Sequence, residues 1–402
     1  MNMVAMGQWD DDSQLCRPAR RLVWGERNQM MTSEERLQTV IRLKQPDRIP
    51  CAPLMESYAG RYAGFSNYEY MFDYEKAEQS LAFLSQQYPQ WDIRRSLYSQ
   101  FYGPYQNSIL FIKTKMPGID IPADREFQSL EYEAVSRQDY HVILEAGYDY
   151  FYHRYLQRIH GCSEENIAAA LRHRSDLIKR EIADSRKRGQ AFLYGGYVLA
   201  APVVISLMRS FEQFVRDMFQ VPDLLEKVLE KTTESVIREG IQDARDSGIF
   251  RTFIGLPRVC GQFLSRKFFD RFSWPYVKQL ILALIQAEIV PVLHLDSDWS
   301  ENIPYLLELP PGKIIVELDG DTDIFAAGRV LSGHSCLLGD VSPHLFVLGS
   351  PVRVKSYCRK LMKEVGRQGG FILGSGCTVP LSAKHENVQA FFQSVEEFGY
   401  YE

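Results

Sequence analysis

Val290-Pro-Val-Leu-His-Leu-Asp296 opens, and Phe371-Ile-Leu-Gly-Ser-Gly-Cys-Thr-Val-Pro380 closes, the region whose reading decides the fold. Each is a short apolar run ending in small or polar residues that bear a metal-competent side chain, His294 in the first and Cys377 in the second. Between them, Ile314-Ile-Val-Glu317 and Cys336-Leu-Leu-Gly-Asp340 repeat the pattern. Four apolar runs that each finish in His, Glu, Asp or Cys match the way parallel barrels build active sites, with the chemistry at the C-terminal strand ends. The pattern predicts that these ends converge on one metal-assisted site.

The flanking sequence supplies the remaining strands. Ile49 to Met55, about Trp91 to Leu97, Phe192 to Val198 and Ile249 to Leu256 are apolar runs bounded by turn or helix signals. Helical patterns separate most of them. Thr32-Ser-Glu-Glu35 is a capping box that starts a helix with Leu37, Val40, Ile41 and Leu43 on one face. Further helices are expected over about Tyr74 to Gln87 and over Leu224 to Asp246, with Gly248 just past the second. Ser265 should cap the next, which breaks near Pro275, and Ser350-Pro351 opens the last long one. About eight strands alternating with helices predict an α/β fold, a single (β/α)8 TIM barrel over residues 31–402. Residues 98–135, rich in aromatics, Pro and Gly, read as an irregular insertion that forms a lid or wall at the barrel mouth. Residues 1–30 read as a disordered N-terminal extension.

Composition narrows the function. A hydrophobic fraction of 45% and a charged fraction of 24% are ordinary for a globular enzyme. A net charge of −5 gives no reason to expect nucleic acid as a partner. The seven cysteines include no Cys-x-x-Cys pair, so reduced thiols in a cytoplasm are expected. No apolar run is long enough to span a bilayer, and Asp10, Asp11 and Asp12 stand where a signal peptide needs an apolar core. Neither a Gly-x-Gly-x-x-Gly turn nor a Walker loop follows a strand, so nothing supports a dinucleotide or P-loop site.

Several segments resemble the uroporphyrinogen decarboxylase superfamily. They are Glu34-Glu-Arg-Leu37 through Pro46-Asp-Arg-Ile-Pro50; Ala201-Pro202 through Arg209 with Asp217 and Pro222-Asp223; Phe263-Leu-Ser-Arg-Lys-Phe-Phe269 with Trp274-Pro-Tyr276; and Gly374-Ser-Gly-Cys377-Thr-Val-Pro380 with Glu386-Asn387. The resemblance implies a (β/α)8 barrel. It also implies one of two activities. Decarboxylases of that family bind a porphyrinogen bearing many carboxylates through an arginine-rich loop similar to Met55-Glu-Ser-Tyr-Ala-Gly-Arg61-Tyr62, but here Glu56 stands in place of the first Arg. Ser375 occupies the position of a family His.

The corrinoid (cobalamin)-dependent methyltransferases of the superfamily look more similar. Their thiol-methylating members bind zinc through His-x-Cys and a distant Cys. His294 and Cys377 match the His and the distant Cys, while Asp296 replaces the middle Cys. The resemblance therefore implies zinc on His294, Asp296 and Cys377, with Asp a competent ligand. Fewer thiolates leave zinc a stronger Lewis acid, suited to a methylated oxygen or other heteroatom such as a methyl ether. The chain lacks an Asp-x-His-x-x-Gly corrinoid signature, so a separate corrinoid protein is the expected partner; a homodimer is also compatible with the family.

Each residue also has a plainer reading. A strand-end His is usually hydrogen-bonded structure, and Asp296 could orient His294 rather than bind metal. Glu317 and Asp340 are candidate catalytic carboxylates, with a structural salt bridge the alternative for Glu317. Tyr58, Arg61 and Tyr102 are candidate substrate contacts, or simply packing. Cys260, Cys336 and Cys358 read as buried apolar residues, and His334 and His344 as solvated. The functional expectation is a zinc-dependent methyltransferase component. The alternatives are a porphyrinogen or small-carboxylate decarboxylase, and a barrel that binds a corrinoid or tetrapyrrole without turnover.

Overall fold

Val290–Leu295 is a strand buried along almost its whole length, and the neighbouring apolar runs line up beside it in parallel. The computed structural model describes residues 30–95 and 111–401. In chain order the strands are β1 (Ile93–Arg94), β2 (Thr114–Lys115), β3 (Gln128–Ser129), β4 (Ala191–Phe192), β5 (Gly196–Leu199), β6 (Arg251–Gly255), β7 (Val290–Leu295), β8 (Ile315–Leu318), β9 (Cys336–Val341) and β10 (Phe371–Ser375). One parallel sheet runs β10-β9-β8-β7-β6-β5, and β1 pairs in parallel with β4.

Backbone hydrogen bonds carry the order onward from both edges of that sheet. Leu193 N donates to Arg94 O at 2.9 Å and Gly195 N to Arg251 O at 2.9 Å, so the third predicted strand is realised as β4 and β5 with a break between them. The first predicted strand pairs only through isolated bridges, Cys51 with Leu373 and Leu54 with Thr378. Ile93 N donates to Cys51 O at 3.0 Å on its other side. Eight segments in barrel order result, which is the expected TIM-barrel class with a thin seam beside its first strand.

Side-chain alternation divides the core. Val292, Ile315, Cys336, Leu338 and Ile372 pack together with Ala52, Ile93 and Phe192 inside the ring. Their chain neighbours Leu293, Val316, Leu337, Phe371 and Leu373 belong to the larger cluster shared with the helices. Period-2 alternation in strands coated by helices produces this division.

The predicted helix signals operate. Thr32 Oγ1 accepts from Glu35 N at 3.2 Å while Thr32 N donates to Glu35 Oε2 at 2.7 Å. The helix Tyr74–Gln87 has the expected bounds, and Pro222–Ser247 stops at Gly248 in the left-handed region. The break near Pro275 separates Arg266–Phe272 from Trp274–Gln286, though Ser265 makes no side-chain capping bond. Within the insertion, residues 111–135 hold the short antiparallel pair β2–β3 and otherwise lack regular structure. Among the described residues no helix is long and apolar enough to cross a membrane.

Two buried acids make the fold testable. Asp92, 2% exposed, accepts from Arg36 Nη1 at 2.9 Å, from Arg48 Nη1 at 2.7 Å and Nη2 at 2.8 Å, and from Cys51 N at 2.9 Å. It joins the first helix, the first strand segment and β1. Asp92→Ala strips these donors of their acceptor, and guanidinium unfolding should show a loss of about 3–5 kcal/mol. Asp340, 2% exposed near the end of β9, accepts from the Tyr357 hydroxyl at 2.7 Å. Burial lifts its carboxyl to about 6, outweighing that hydrogen bond. The folded state therefore keeps a proton that the unfolded chain releases near about pH 4. Asp340 should thus weaken the fold as pH rises from about 4 to about 6, and the loss persists above that range. Asp340→Asn keeps an acceptor for Tyr357 and should raise stability at pH 7 by on the order of 2 kcal/mol, with little gain at pH 4.

Candidate active site

The register of the sheet decides which strand ends meet. His294 pairs with Gly255 on one side and Glu317 on the other, and Glu317 pairs with Leu338. Paired residues on neighbouring parallel strands point to the same face, so His294 and Glu317 lie side by side. His294 Nδ1 and Glu317 Oε1 are 2.7 Å apart. The two are not aligned for a hydrogen bond, and His294 Nδ1 and Glu317 Oε2 remain buried without one. On the far side of the ring, His294 Nε2 lies 3.1 Å from Asp296 Oδ1.

Burial opposes charge on the His294 ring, but Asp296, by charge and hydrogen bonding, and Cys377, likewise, overcome it and carry the imidazole to about 10. His294, Asp296 and Cys377 therefore form one electrostatic unit although Cys377 follows a different strand. Among the described residues, however, no three His, Cys, Asp or Glu side chains are drawn together tightly enough to hold a metal ion.

A residue not singled out from the sequence completes this wall. Arg95, directly after β1, is fully buried and forms an ion pair with Glu317. Its Nη1 also donates to Ser375 O at 2.7 Å and to Ala52 O at 3.2 Å. Burial lowers its guanidinium from the ordinary arginine value even beside acidic neighbours. The structural salt bridge held open for Glu317 thus exists, and it lies within the site.

These groups face a cavity of about 610 Å³ lined by Glu56, Arg95, His294, Asp296, Glu317 and Cys377 at the strand ends. Aromatic rings form much of its apolar wall. Phe253 stacks on Tyr197 with centroids 4.6 Å apart and on His294 at 5.5 Å. Phe111, Ile112, Thr114 and Met116 also line it, so the described part of the insertion serves as a wall, as expected. Glu126 accepts from Ser57 Oγ at 3.0 Å, and its Oε1 is left without a partner.

Several candidates lie elsewhere. Asp340, the other candidate carboxylate, is absent from the cavity lining and is engaged by Tyr357 of the helix Pro351–Glu364. Tyr58 is buried, with its hydroxyl 3.4 Å from His385 Nδ1, and Arg61 donates to Leu381 O; neither lines the cavity. Both sit on the short helix Glu56–Tyr62, whose first residue is the one that reaches the site. Tyr102 lies outside the described residues. Cys260, Cys336 and Cys358 are buried, as read, and His344 is exposed. His334 is half-buried, with its Nε2 2.9 Å from Leu309 O.

Comparisons with known proteins follow the same lines. Uroporphyrinogen decarboxylase 2, chloroplastic, of Arabidopsis thaliana is 29% identical over 235 residues, 58% of this chain and 57% of that protein. Uroporphyrinogen decarboxylase of Coxiella burnetii is 23% identical over 188 residues, 45% of this chain and 49% of the relative. The chain thus spans about half the length of these curated relatives. A solved methyltransferase from Methanosarcina mazei shares the fold, with a TM-score of 0.66 at 17% identity over 91% of this chain and 99% of that one. A family model described as uroporphyrinogen decarboxylase (URO-D) matches residues 175–398, more than half of the chain, and the chain belongs to that family.

Proposed function

We propose that this barrel is the zinc-dependent component of a methyl-transfer system, moving a methyl group between a small methylated substrate and a cobalt corrinoid carried by a separate protein. The charge of the cavity is the observation that carries the reading. Glu56, Glu126, Glu239, Asp296 and Glu317 line it against Arg95, Arg174 and the His294 imidazolium. Both arginines already face acids, Arg95 with Glu317 and Arg174 with Asp243 at 3.9 Å. Such a wall repels a porphyrinogen bearing many carboxylates and accepts a neutral or cationic ligand.

The donor set fits zinc in kind. His294 Nε2 and Asp296 Oδ1 lie 3.1 Å apart. Two ligands of one tetrahedral zinc, each about 2.0–2.1 Å from the metal, are separated by about 3.3 Å. Cys377 would supply the third donor. When bound, the metal would polarise the heteroatom that carries the methyl group. The chain's own residues do the rest. Arg95 fixes Glu317, and Glu317 stands against His294 Nδ1, the ring nitrogen left over when Nε2 faces the metal, which sets the ring's direction. Phe253 and Tyr197 keep bulk water from that face of the ring.

The names of the curated relatives favour a second reading, decarboxylation of a porphyrinogen or smaller carboxylate. Incubation with uroporphyrinogen separates the two, and no coproporphyrinogen is expected to form. In the direct test, purified protein is screened with methyl ethers and other small methylated compounds against free cob(I)alamin, following methylcobalamin by absorbance. His294→Ala and Cys377→Ala should lose both zinc and transfer, and Glu317→Gln should cost about 10–100-fold in metal affinity or rate. Full transfer by metal-free protein would contradict the proposal.

A further inference from the structure

The cavity has a second polar end, away from the strand termini. Glu239 and Val236, on the helix Pro222–Ser247, line it together with Arg174 of the helix Glu164–Lys187 and Tyr148 and Tyr152 of the helix Tyr148–His160. These are outer-layer helices, whereas His294, Asp296 and Cys377 come from the ends of β7 and β10. Tyr197 stands between the two ends: its backbone N–H donates to the Asp243 carboxylate, while its phenol feels the charges of Asp296, Glu56 and Cys377.

Glu239 is the unusual group at this end. Its side chain is exposed and lines the cavity. Among the described residues it accepts no side-chain hydrogen bond, and Arg174 acts on it by charge alone. Arg174 is directed to Asp243, 3.9 Å away, one helical turn along from Glu239. Desolvation, and then the charge of Asp243, lift the Glu239 carboxyl to about 7 against the opposing charge of Arg174, so a further cation beside it would favour its anion. Two phenol rings flank it. Tyr148 and Tyr152 stack with centroids 5.6 Å apart, and both feel the Glu239 charge. A carboxylate beside aromatic faces in a largely apolar cavity is the arrangement that recognises alkylated ammonium groups.

We propose that the Glu239–Tyr148–Tyr152 end of the cavity binds a positively charged nitrogen, an amine or a quaternary ammonium, so that the substrate is an amine carrying its transferable methyl at the opposite end. The assignment rests on the reading of the cavity as a methyl-donor site. It adds what that reading leaves open, the chemical class of the substrate's remote end. The apolar stretch between the ends, including Leu207, Val204 and Phe253, would take the body of such a molecule.

Choline and its uncharged isostere 3,3-dimethylbutan-1-ol test the proposal on the full-length protein by calorimetry or ligand-observed NMR. Choline should bind about tenfold or more tightly than the isostere. Glu239→Gln should remove that preference while leaving the weak binding of the isostere unchanged. Equal binding of the two probes by the unaltered protein, failure of both to bind, or a preference that survives in folded Glu239→Gln would each overturn the assignment. The wild-type comparison needs no variant and decides alone if the variant does not fold. Because binding is the readout, absence of methyl transfer would count against the proposed reaction and leave this result standing.

Discussion

Glu317 is a carboxylate with 1% of its surface exposed, at the end of a strand in the middle of the sheet. A charge in that position is tolerated only if another charge meets it. Arg95 meets it, and in doing so also binds the backbone of the first strand segment at Ala52 and of β10 at Ser375. One guanidinium thereby gathers parts of the ring that are remote in sequence, close to the seam where the ladder is thinnest. The pairing register then sets His294 beside Glu317, and the direction of the imidazole follows from what flanks it. The site is thus a consequence of how the barrel compensates a buried acid.

The same logic explains why the cavity differs from one built for a polyanion. Arginines are present, but their charge is committed to acids of the chain. Glu56 is held by Thr378 at 2.9 Å, where a family decarboxylase would offer an arginine. Glu126, with one oxygen unsatisfied, and Glu239 line the ligand space. Family membership and fold are common to decarboxylases and methyltransferases, so the wall chemistry has to separate them.

Much of the fold was legible because burial and periodicity coincide in it. Eight apolar runs became eight barrel segments, and the caps at Thr32, Gly248 and Ser350 act where the sequence places them. His294, Asp296, Glu317 and Cys377 were legible as strand-end residues. Asp340 obeys the same rule, but Tyr357 on an outer helix takes its carboxylate and it lies off the cavity. Tyr58 and Arg61 were read through a family motif, but their helix directs only Glu56 into the cavity. Arg95 was missed because an arginine beside another in a short apolar run reads as an edge or surface residue. Glu239 was missed for a similar reason: on an amphipathic helix it belongs to the polar face, and only tertiary packing turns that position toward a cavity.

The central claim is that His294, Asp296 and Cys377 share one ion. X-ray absorption at the zinc edge of protein purified without chelator tests it most directly. The account predicts a single sulfur at about 2.3 Å with nitrogen and oxygen donors at about 2.0–2.1 Å, and loss of the sulfur shell in Cys377→Ser. A zinc shell without sulfur, or protein that takes up no zinc at all, would contradict it.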